Sequence, residues 1–459
     1  MFKFDFWFII KTLRISIKFG GSVLLKSKLI KTILALTLMV SLAIPLSVKA
    51  AGSNNIIAKY PFEANEIYVM DAKTGQEIYQ KNAYAKRPIA SLSKLMTLYL
   101  TKEAIDSGKM SWNQKVPVDK HLISLSKNSV FGSFQLKKTK QYTVKQMYQA
   151  ALIASSNSAA IALGEMVAHG SNNNFVKMMN NQAKSWKLNA SFVSASGLDN
   201  TDLKKYNCIV PGTGKDAQNL VSAHDISYIA ARLLEVFPSI TQWSSKSTQT
   251  IGKQTLVNVN SLLPGRTYAP KQIKVDGLKN GYTENAGLCL TATYWSHGRN
   301  LIATIIDSST IFSSMAKLMQ TLNSDYTYSK AKLDSQKFVE KKYHILAVPK
   351  EKTTVIWHKA GTSGTPKIQY IQTVKNGEIK KGEVVGQALI SLTGTKSFSV
   401  PLISKTTTPG AVKKKVDKKT VPKKSMVSSI GGAVESVGTF IVAFVRGIFA
   451  EAQNIVAKL

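Results

Sequence analysis

The sequence has few of the side chains that cross-link a chain or hold a metal. Its 459 residues include only two cysteines, Cys208 and Cys289, which are too few for a disulfide framework. Because Cys289 falls within a predicted core strand, we expect both thiols to be buried and unpaired. The six histidines show no H-E-x-x-H or other ligand spacing. We therefore expect neither a metal site nor a cofactor.

Acidic residues are also scarce. The chain has 26 Asp and Glu against 61 Lys and Arg, a formal net charge of +35 at pH 7. Such a surplus favours an anionic partner. The sequence has no nucleic-acid recognition motif and no interleaving of aromatic and basic residues, so we expect no nucleic-acid partner. The anionic lipid and wall polymers of a bacterial envelope fit the charge better.

The N-terminus has the pattern of an export signal. A long basic region precedes the mostly apolar stretch Ile33–Val48, and small residues follow at the cleavage positions. We predict a signal peptide over residues 1–50, cleaved after Ala50 or, as a near alternative, after Ala51. A second apolar patch at Phe6–Ile10 leaves an uncleaved membrane anchor as the other interpretation.

The C-terminus lacks an apolar run long enough to span a bilayer. Val437–Ala450 is nearly uninterrupted, but it falls short of the roughly 20 residues that a spanning helix needs. We predict that residues 426–459 form an amphipathic helix in an anionic membrane interface, preceded by a basic linker over residues 405–425. The alternative is a helix that docks on the protein's own domains.

Between these ends, residues 51–334 predict an α+β domain, an antiparallel sheet packed with helices. A hairpin opens the pattern, with strands at Ile67–Met70 and Glu77–Tyr79. Helical periodicity follows from Ala90 to about Met166 and is clearest over Tyr142–Met166. Later strands and a final helix are expected at Thr255–Val259, Ile273–Val275, Leu288–Tyr294, Leu301–Ile306 and Ser314–Leu322.

Residues 335–404 differ in character from the rest of the chain. Short β-prone runs alternate there with turns rich in Gly, Pro and Lys, which predicts a separate small all-β domain. Its expected strands are Tyr343–Val348, Thr353–Trp357, Ile368–Thr373, Val384–Ile390 and Ser397–Leu402.

The stretch Pro88–Thr97 carries the most chemical information. It places the hydroxyl of Ser91 one helical turn before the amine of Lys94, and side chains three apart on a helix share a face. A hydroxyl and an amine in contact can act as a nucleophile and its base. The S-x-x-K spelling recurs three times, but only at Ser91 do Pro and Ala precede it and Met-Thr follow it. The other copies are Ser124–Lys127, Ser314–Lys317 and Ser329–Lys332.

Two later segments could complete such a site. Ser155-Ser156-Asn157 offers a hydroxyl and an amide two residues apart within the helical region. Lys279-Asn280-Gly281 offers an amine on a strand, beside a glycine that lets a ligand approach closely.

The order S-x-x-K, S-x-N, K-x-G resembles that of penicillin-binding proteins and serine β-lactamases. The surroundings resemble in particular the exported D-alanyl-D-alanine carboxypeptidases, the low-molecular-mass penicillin-binding proteins. The resemblance covers roughly Asn65 to Leu322 and implies a sheet flanked by helices with a helical subdomain. The matching stretches are Pro88–Thr97, Ser155–Glu165, Ser194–Asp199, Ser222–Asp225 and Val275–Leu290.

The resemblance implies a catalytic role for three residues. Ser91 would attack the carbonyl between two D-alanines of a peptidoglycan stem pentapeptide, with Lys94 as its base. Ser155, aided by Lys279, would relay a proton to the departing D-alanine. Water would hydrolyse the acyl-enzyme, whereas β-lactams would form a long-lived one and so act as covalent inhibitors.

The resemblance also implies the residues that bind substrate. Asn157 would hold the substrate's amide, and the backbone N–H groups of Ser91 and Tyr282 would form the oxyanion hole. The only literal Lys-Thr-Gly, Lys73–Gly75, precedes Ser91 and falls at a hairpin turn, so we predict that it is a turn and not the third motif. The implied substrate-binding set is Asn157, Lys279, Asn280, Gly281 and Tyr282.

Two departures from the family pattern concern recognition of the substrate's carboxylate. Asn280 stands where the family usually has threonine, and Ser308–Met315 lacks the arginine that tends to precede the last helix. We expect altered affinity or substrate choice, with the serine–lysine chemistry retained.

Three functions remain open on this sequence. The first is an exported D,D-carboxypeptidase on the outer face of the cytoplasmic membrane or in the cell wall. The second is a wall-binding or catalytically weakened protein on the same scaffold, for which Asn280 is the support. The third is a β-lactamase, against which the added β-domain and tail argue.

Overall fold

A computed structural model describes residues 62–340, 343–374 and 379–407 of the chain. The predicted signal peptide and amphipathic helix lie outside the described residues, as does the linker beyond Thr407. Within these ranges, no helix is both long and apolar enough to cross a membrane. The protein divides into two compact units. Among the described residues, the first takes in the chain to Ser329 with Val355–Pro366 and Ser391–Phe398, and the second takes in Lys330–Thr354, Lys367–Ile390 and the chain from Ser399.

The first unit combines strands and helices. Its strands are β1 (Glu66–Asp71), β2 (Glu77–Lys81), β3 (Arg87–Pro88), β4 (Lys115–Val116), β5 (Tyr142–Thr143), β6 (Leu220–Val221), β7 (Thr248–Ile251), β8 (Gln254–Val257), β9 (Val275–Thr283), β10 (Gly287–Ser296) and β11 (Arg299–Ser308). Its helices are α1 (Lys94–Asp106), α2 (Lys120–Ser126), α3 (Val144–Ile153), α4 (Asn157–Val167), α5 (Asn172–Ser185), α6 (Asn200–Leu203), α7 (Ala223–Val236), α8 (Thr241–Ser244) and α9 (Ile311–Asp325), and a 3₁₀ turn at Ala90–Ser93 leads into α1.

An antiparallel sheet in the order β2-β1-β11-β10-β9 forms the centre of this unit. Successive side chains of a strand point to opposite faces. Ile67 and Val69 accordingly pack on the side of α9, whereas Tyr68 and Met70 pack with the core that includes α1 and α7. Apolar residues at both sets of positions bury the sheet on both faces, and β9 remains as an edge strand beside the 3₁₀ turn.

The predicted hairpin and the strands β8, β10 and β11 are confirmed within a few residues, as is the final helix. The strand expected at Ile273–Val275 is wrong in extent, because β9 begins at Val275 and runs to Thr283. Its buried positions include the polar residues Asp276 and Lys279. These side chains are satisfied by hydrogen bonds, so no apolar pattern marks the strand.

The single helical run expected over Tyr142–Met166 is also wrong. It consists of α3 and α4, separated at Ser155, whose φ is +57°. Both helices have side-chain caps, since Thr143 accepts a hydrogen bond from the Gln146 N–H and Ser156 accepts one from the Ala159 N–H. Apolar periodicity continues across the break, and only the capping serine marks it.

The β-rich part of the chain contains β12 (Tyr326–Lys332), β13 (Gln336–Glu340), β14 (Tyr343–Pro349), β15 (Thr353–Lys359), β16 (Lys367–Gln372), β17 (Val384–Ser391) and β18 (Phe398–Ser404). A second sheet has the order β13-β14-β18-β17-β16. All five predicted strands are confirmed, and β12 and β13 were not foreseen. Trp357 of β15 belongs to the first unit, where its backbone N–H donates to Gln76 and its indole N–H donates to Asp71.

Candidate active site

The side chains of Ser91 and Lys94 meet, as their spacing predicts. Both arise from the 3₁₀ turn and the first residue of α1, where side chains three apart eclipse one another. The Lys94 Nζ atom lies 2.7 Å from the Ser91 Oγ atom. The turn is closed locally, since the Ser93 hydroxyl donates to the Ala90 carbonyl over 2.7 Å.

Lys94 is fully buried, and two further acceptors surround its amine. Nζ donates to Asn157 Oδ1 over 2.7 Å and to the Ser196 carbonyl over 2.6 Å. Burial lowers the pKa of Lys94 well below its usual value, and the nearby Lys279 lowers it further. A neutral amine has two N–H donors and one lone pair. With Asn157 and Ser196 taking the two donors, the lone pair is left for the Ser91 hydroxyl.

The other three S-x-x-K copies lack this environment. Lys127, Lys317 and Lys332 are all exposed to solvent. Desolvation is the main cause of the lowered pKa of Lys94, and an exposed lysine does not experience it. Burial of the lysine therefore distinguishes the S-x-x-K motif at Ser91 from the other three copies of the motif.

Ser155 and Lys279 form a second pair. The Lys279 Nζ atom donates to Ser155 Oγ over 2.8 Å and to the Asn280 carbonyl over 2.7 Å. Lys279 is buried on β9, and this burial lowers its pKa to about 7. Ser155 lies in the break between α3 and α4 and has a positive φ. Its hydroxyl contacts Lys279 from this backbone conformation.

Two backbone carbonyls at the site were not identified from the sequence. One is Ser196 O, which accepts from Lys94. The other is Phe131 O, which accepts from Asn157 Nδ2 over 2.9 Å. Ser196 lies in a stretch that resembles the family. Every residue has a backbone carbonyl, however, so the residue type does not indicate which carbonyl accepts a hydrogen bond. Nothing in the sequence around Phe131 indicates its position.

Two glycines let backbone segments meet at the nucleophile. A Cβ at Gly281 would lie 2.8 Å from the Ser91 N atom. The sequence analysis predicted that this glycine lets a ligand approach closely. In the structure, the segment that approaches it is the turn that carries Ser91. Gly197 has a φ of +85°, and a Cβ there would lie 2.0 Å from the Ala90 carbonyl oxygen.

The family model for peptidase S11, D-alanyl-D-alanine carboxypeptidase, matches residues 53–310, more than half of the chain. The chain belongs to this family. D-alanyl-D-alanine carboxypeptidase DacF of Bacillus subtilis (strain 168) is 32% identical over 276 residues, which cover 58% of this chain and 62% of that relative. The chain thus spans less than two thirds of the length of that curated relative.

Solved structures of similar proteins agree with the fold. A peptidoglycan synthesis regulatory factor (PBP3) from Streptococcus pneumoniae has a TM-score of 0.62 and 26% identity, covering 76% of this chain and 100% of that one. Penicillin binding protein 6B from Escherichia coli has a TM-score of 0.54 and 26% identity, with 74% and 95% covered. The predicted family and the α+β fold class with a β-rich C-terminal domain are therefore confirmed.

The structure describes both places where the sequence led us to expect a departure from the family pattern. Asn280 is partly exposed on β9, and no hydrogen bond of its side chain is found among the described residues. Tyr282, two residues further along the strand, is 62% exposed. Both side chains are therefore open to a bound molecule.

The segment Ser308–Thr310, which leads into α9, binds a carboxylate of this chain. Glu63 accepts hydrogen bonds from the backbone N–H groups and hydroxyls of Ser309 and Thr310 and from the Ser308 hydroxyl, over 2.7–3.0 Å. These bonds, that of the Ser309 N–H first, hold the pKa of the Glu63 carboxyl well below its usual range. Glu63 thus holds the loop that leads into α9.

The described residues contain no group of three or more His, Cys, Asp and Glu side chains that could hold a metal ion. Cys208 and Cys289 are buried and unpaired, and burial raises the pKa of each thiol to about 12. Neither cysteine is thus a thiolate nucleophile at neutral pH.

Proposed function

We propose that this protein is a serine-type D-Ala-D-Ala carboxypeptidase that removes the terminal D-alanine from peptidoglycan stem pentapeptides. The observation that carries the proposal is the buried amine of Lys94, 2.7 Å from the Ser91 hydroxyl and held by Asn157 and Ser196. Membership of the peptidase S11 family supports the same reaction.

In the acylation step, Ser91 Oγ attacks the carbonyl carbon between the two D-alanines. Burial lowers the pKa of Lys94, which favours its neutral form, and the lone pair of that form takes the hydroxyl proton. A new C–O bond forms and the carbonyl π electrons move to the oxygen. The backbone N–H groups of Ser91 and Tyr282 stabilise that oxyanion. The close approach of Gly281 to the Ser91 N atom supports this role.

The leaving D-alanine needs a proton on its nitrogen when the C–N bond breaks. Ser155 delivers it, and Lys279 replaces it on the Ser155 hydroxyl. The 2.8 Å contact between Lys279 and Ser155 supports this relay, as does a pKa of Lys279 of about 7, near the working pH of such a relay. Water then hydrolyses the acyl-enzyme. With β-lactams the ring-opened leaving group stays tethered, so the adduct on Ser91 lives longer.

The site is tested by labelling with a fluorescent penicillin and by assay of D-alanine release from a stem pentapeptide. Ser91→Ala should lose covalent labelling and D-alanine release while keeping the melting temperature of wild type. The matched control is Ser314→Ala, in an S-x-x-K copy whose lysine is exposed. Labelling of Ser91→Ala at the rate of the control would refute the assignment.

We also propose that the protein is exported and acts at the outer face of the cytoplasmic membrane. The net charge of +35 and the basic linker with its short apolar tail support an anionic membrane surface as a partner. A chain truncated after Thr407 should no longer bind vesicles that contain anionic lipid, but it should still react with penicillin. Equal vesicle binding by both chains would place the anchor elsewhere.

A further inference from the structure

The loop that follows α2 contributes a backbone hydrogen bond to the active site. The Phe131 carbonyl accepts from Asn157 Nδ2 over 2.9 Å. The oxygen of the same amide, Oδ1, accepts from Lys94 Nζ over 2.7 Å. Asn157 is 7% exposed, so these two contacts hold its side chain between the loop and the Lys94 amine. The Phe131 carbonyl is therefore connected to Lys94 through one buried amide.

The two contacts allow only one orientation of the Asn157 amide. A carbonyl oxygen only accepts hydrogen bonds, so the amide must turn its NH₂ group toward Phe131 and its oxygen toward Lys94. If the amide were rotated by half a turn, two oxygens would face each other at Phe131 and an N–H would point at the Lys94 amine. That N–H would compete with the Ser91 hydroxyl for the lone pair of neutral Lys94. The orientation of the amide therefore decides whether Lys94 can take the Ser91 proton.

Asn128 fixes the backbone of this loop. Its Oδ1 atom accepts from the backbone N–H groups of Val130 and Phe131, each over 2.8 Å. An asparagine side chain commonly closes a turn in this way. Its Nδ2 atom donates over 2.9 Å to the hydroxyl of the buried Tyr206, which ties the loop to the core. One side chain thus makes three hydrogen bonds, two of them to the loop backbone at Phe131 and beside it.

The rest of the loop is held at its base and not at its tip. A Cβ at Gly132 would lie 2.3 Å from the Ser126 carbonyl oxygen, at the end of α2. The Gly132 N–H donates to the Asn128 carbonyl over 2.9 Å. Val130, at the tip, is 80% exposed, so burial of its side chain does not fix the loop. The position of the peptide units at the tip therefore depends on the side chain of Asn128.

We propose that Asn128 is a positioning residue of this active site, which holds the Phe131 carbonyl in place and thereby sets the orientation of the Asn157 amide. Its hydrogen bonds in the described chain go to the loop and to Tyr206, and none goes to Ser91 or Lys94. The effect of Asn128 on acylation rests on the function proposed for Ser91, whereas its effect on the contact between Phe131 and Asn157 does not.

The test compares Asn128→Ala with Asn128→Asp in the full-length protein. Alanine removes all three side-chain bonds, whereas aspartate keeps an acceptor for the two backbone N–H groups and can accept from the Tyr206 hydroxyl. The second-order rate of labelling by a fluorescent penicillin should fall roughly 10- to 100-fold in Asn128→Ala, the cost of misplacing a group of the site by about 1 Å. Asn128→Asp should label at a rate close to that of wild type. Asn128→Gln, whose longer side chain misplaces the oxygen, takes the place of Asn128→Ala if that variant does not fold.

A double-mutant cycle shows whether Asn128 acts through Asn157. If it does, Asn128→Ala should slow labelling little further in a protein that already carries Asn157→Ala. Asn258→Ala is the matched control, because Asn258 also makes three hydrogen bonds to backbone groups in a loop. It should lower the melting temperature and leave the labelling rate unchanged.

A crystal structure of Asn128→Ala separates this proposal from the activity. We expect the Phe131 carbonyl to leave hydrogen-bonding distance of Asn157 Nδ2. The proposal is overturned by an unchanged contact between these two atoms, by labelling of Asn128→Ala as fast as that of wild type, by equal slowing in Asn128→Asp, or by effects of the two alanine substitutions that multiply. If penicillin does not label even the wild type, the function proposed for Ser91 fails, and the crystal structure still decides the role of Asn128.

Discussion

Replacement of Gly281 by alanine tests whether the approach of β9 to Ser91 serves catalysis. The new Cβ would lie 2.8 Å from the Ser91 N atom and 3.2 Å from both Ala90 Cβ and Leu92 N. Ordinary contact begins at 3.4 Å, so the strand or the turn must yield by about 0.6 Å. Three backbone and Cβ atoms are involved, and none is the flexible end of a side chain.

The expected effect on acylation follows from the predicted oxyanion hole. Loss of one oxyanion donor costs roughly 10²–10³ in kcat. A displacement of about 0.6 Å weakens the bonds to the oxyanion without removing a donor, so we expect acylation to slow roughly 10- to 100-fold. Overpacking should also lower stability by about 1–3 kcal/mol.

The assay is the second-order rate of labelling by a fluorescent penicillin, with the melting temperature measured in parallel. Gly277→Ala is the matched control on the same strand, since its Cβ would lie 2.4 Å from Ser244 Oγ and should destabilise without slowing acylation. Gly214→Ala should change neither quantity, because the only atom near its Cβ would be Ala217 Cβ at 4.0 Å, an ordinary contact. Acylation of Gly281→Ala as fast as that of Gly214→Ala, or equal slowing by Gly277→Ala, would refute the reasoning.

Further predictions concern charge at the site. Because burial lowers the pKa of Lys279 to about 7, the unfolded chain holds this proton up to about pH 10.4 and the folded chain does not. Between pH 7.5 and 9.5 the unfolding free energy of wild type should therefore rise relative to that of Lys279→Met, by at most about 1.4 kcal/mol per pH unit. Urea titrations of both proteins measure this difference. A difference that does not change with pH would contradict the prediction. Asn280→Thr should raise kcat/KM for substrates with a free terminal carboxylate by roughly ten- to a hundredfold, because it adds a charge-assisted hydrogen bond. It should change kcat/KM little for substrates with an amidated C-terminus, which lacks the charge. An equal effect on both substrates would show another role for Asn280.

The local parts of the site could be predicted from the sequence. The Ser91–Lys94 contact follows from a spacing of three residues, which one turn of helix satisfies without help from the rest of the chain. The hairpin turn at Lys73–Gly75 likewise follows from local chemistry, since Gly75 has a φ of +72° and Asp71 accepts from the N–H groups of Lys73 and Thr74.

The parts that depend on distant segments could not be predicted. The break at Ser155 is set by a cap and by the pairing of Ser155 with Lys279, 124 residues away. The position of Trp357 in the first unit depends on bonds to Asp71 and Gln76, more than 280 residues earlier. A run of β-prone residues predicts that a strand forms, but it does not predict which hydrophobic core the strand packs against.

The carbonyl of Ser196 has a consequence for how this site tolerates genetic variation. Every amino acid supplies the same carbonyl, so the acceptor for Lys94 at position 196 depends on the path of the backbone and not on the residue type itself. That path is held by the buried Ser196 hydroxyl, which contacts Ser194 Oγ and accepts from the Leu198 N–H, and by Gly197, where any side chain would collide with the Ala90 carbonyl. A scan of side chains would therefore report the Ser196 hydroxyl and Gly197 as sensitive, although the atom that contacts the amine is a backbone carbonyl that no side-chain substitution removes.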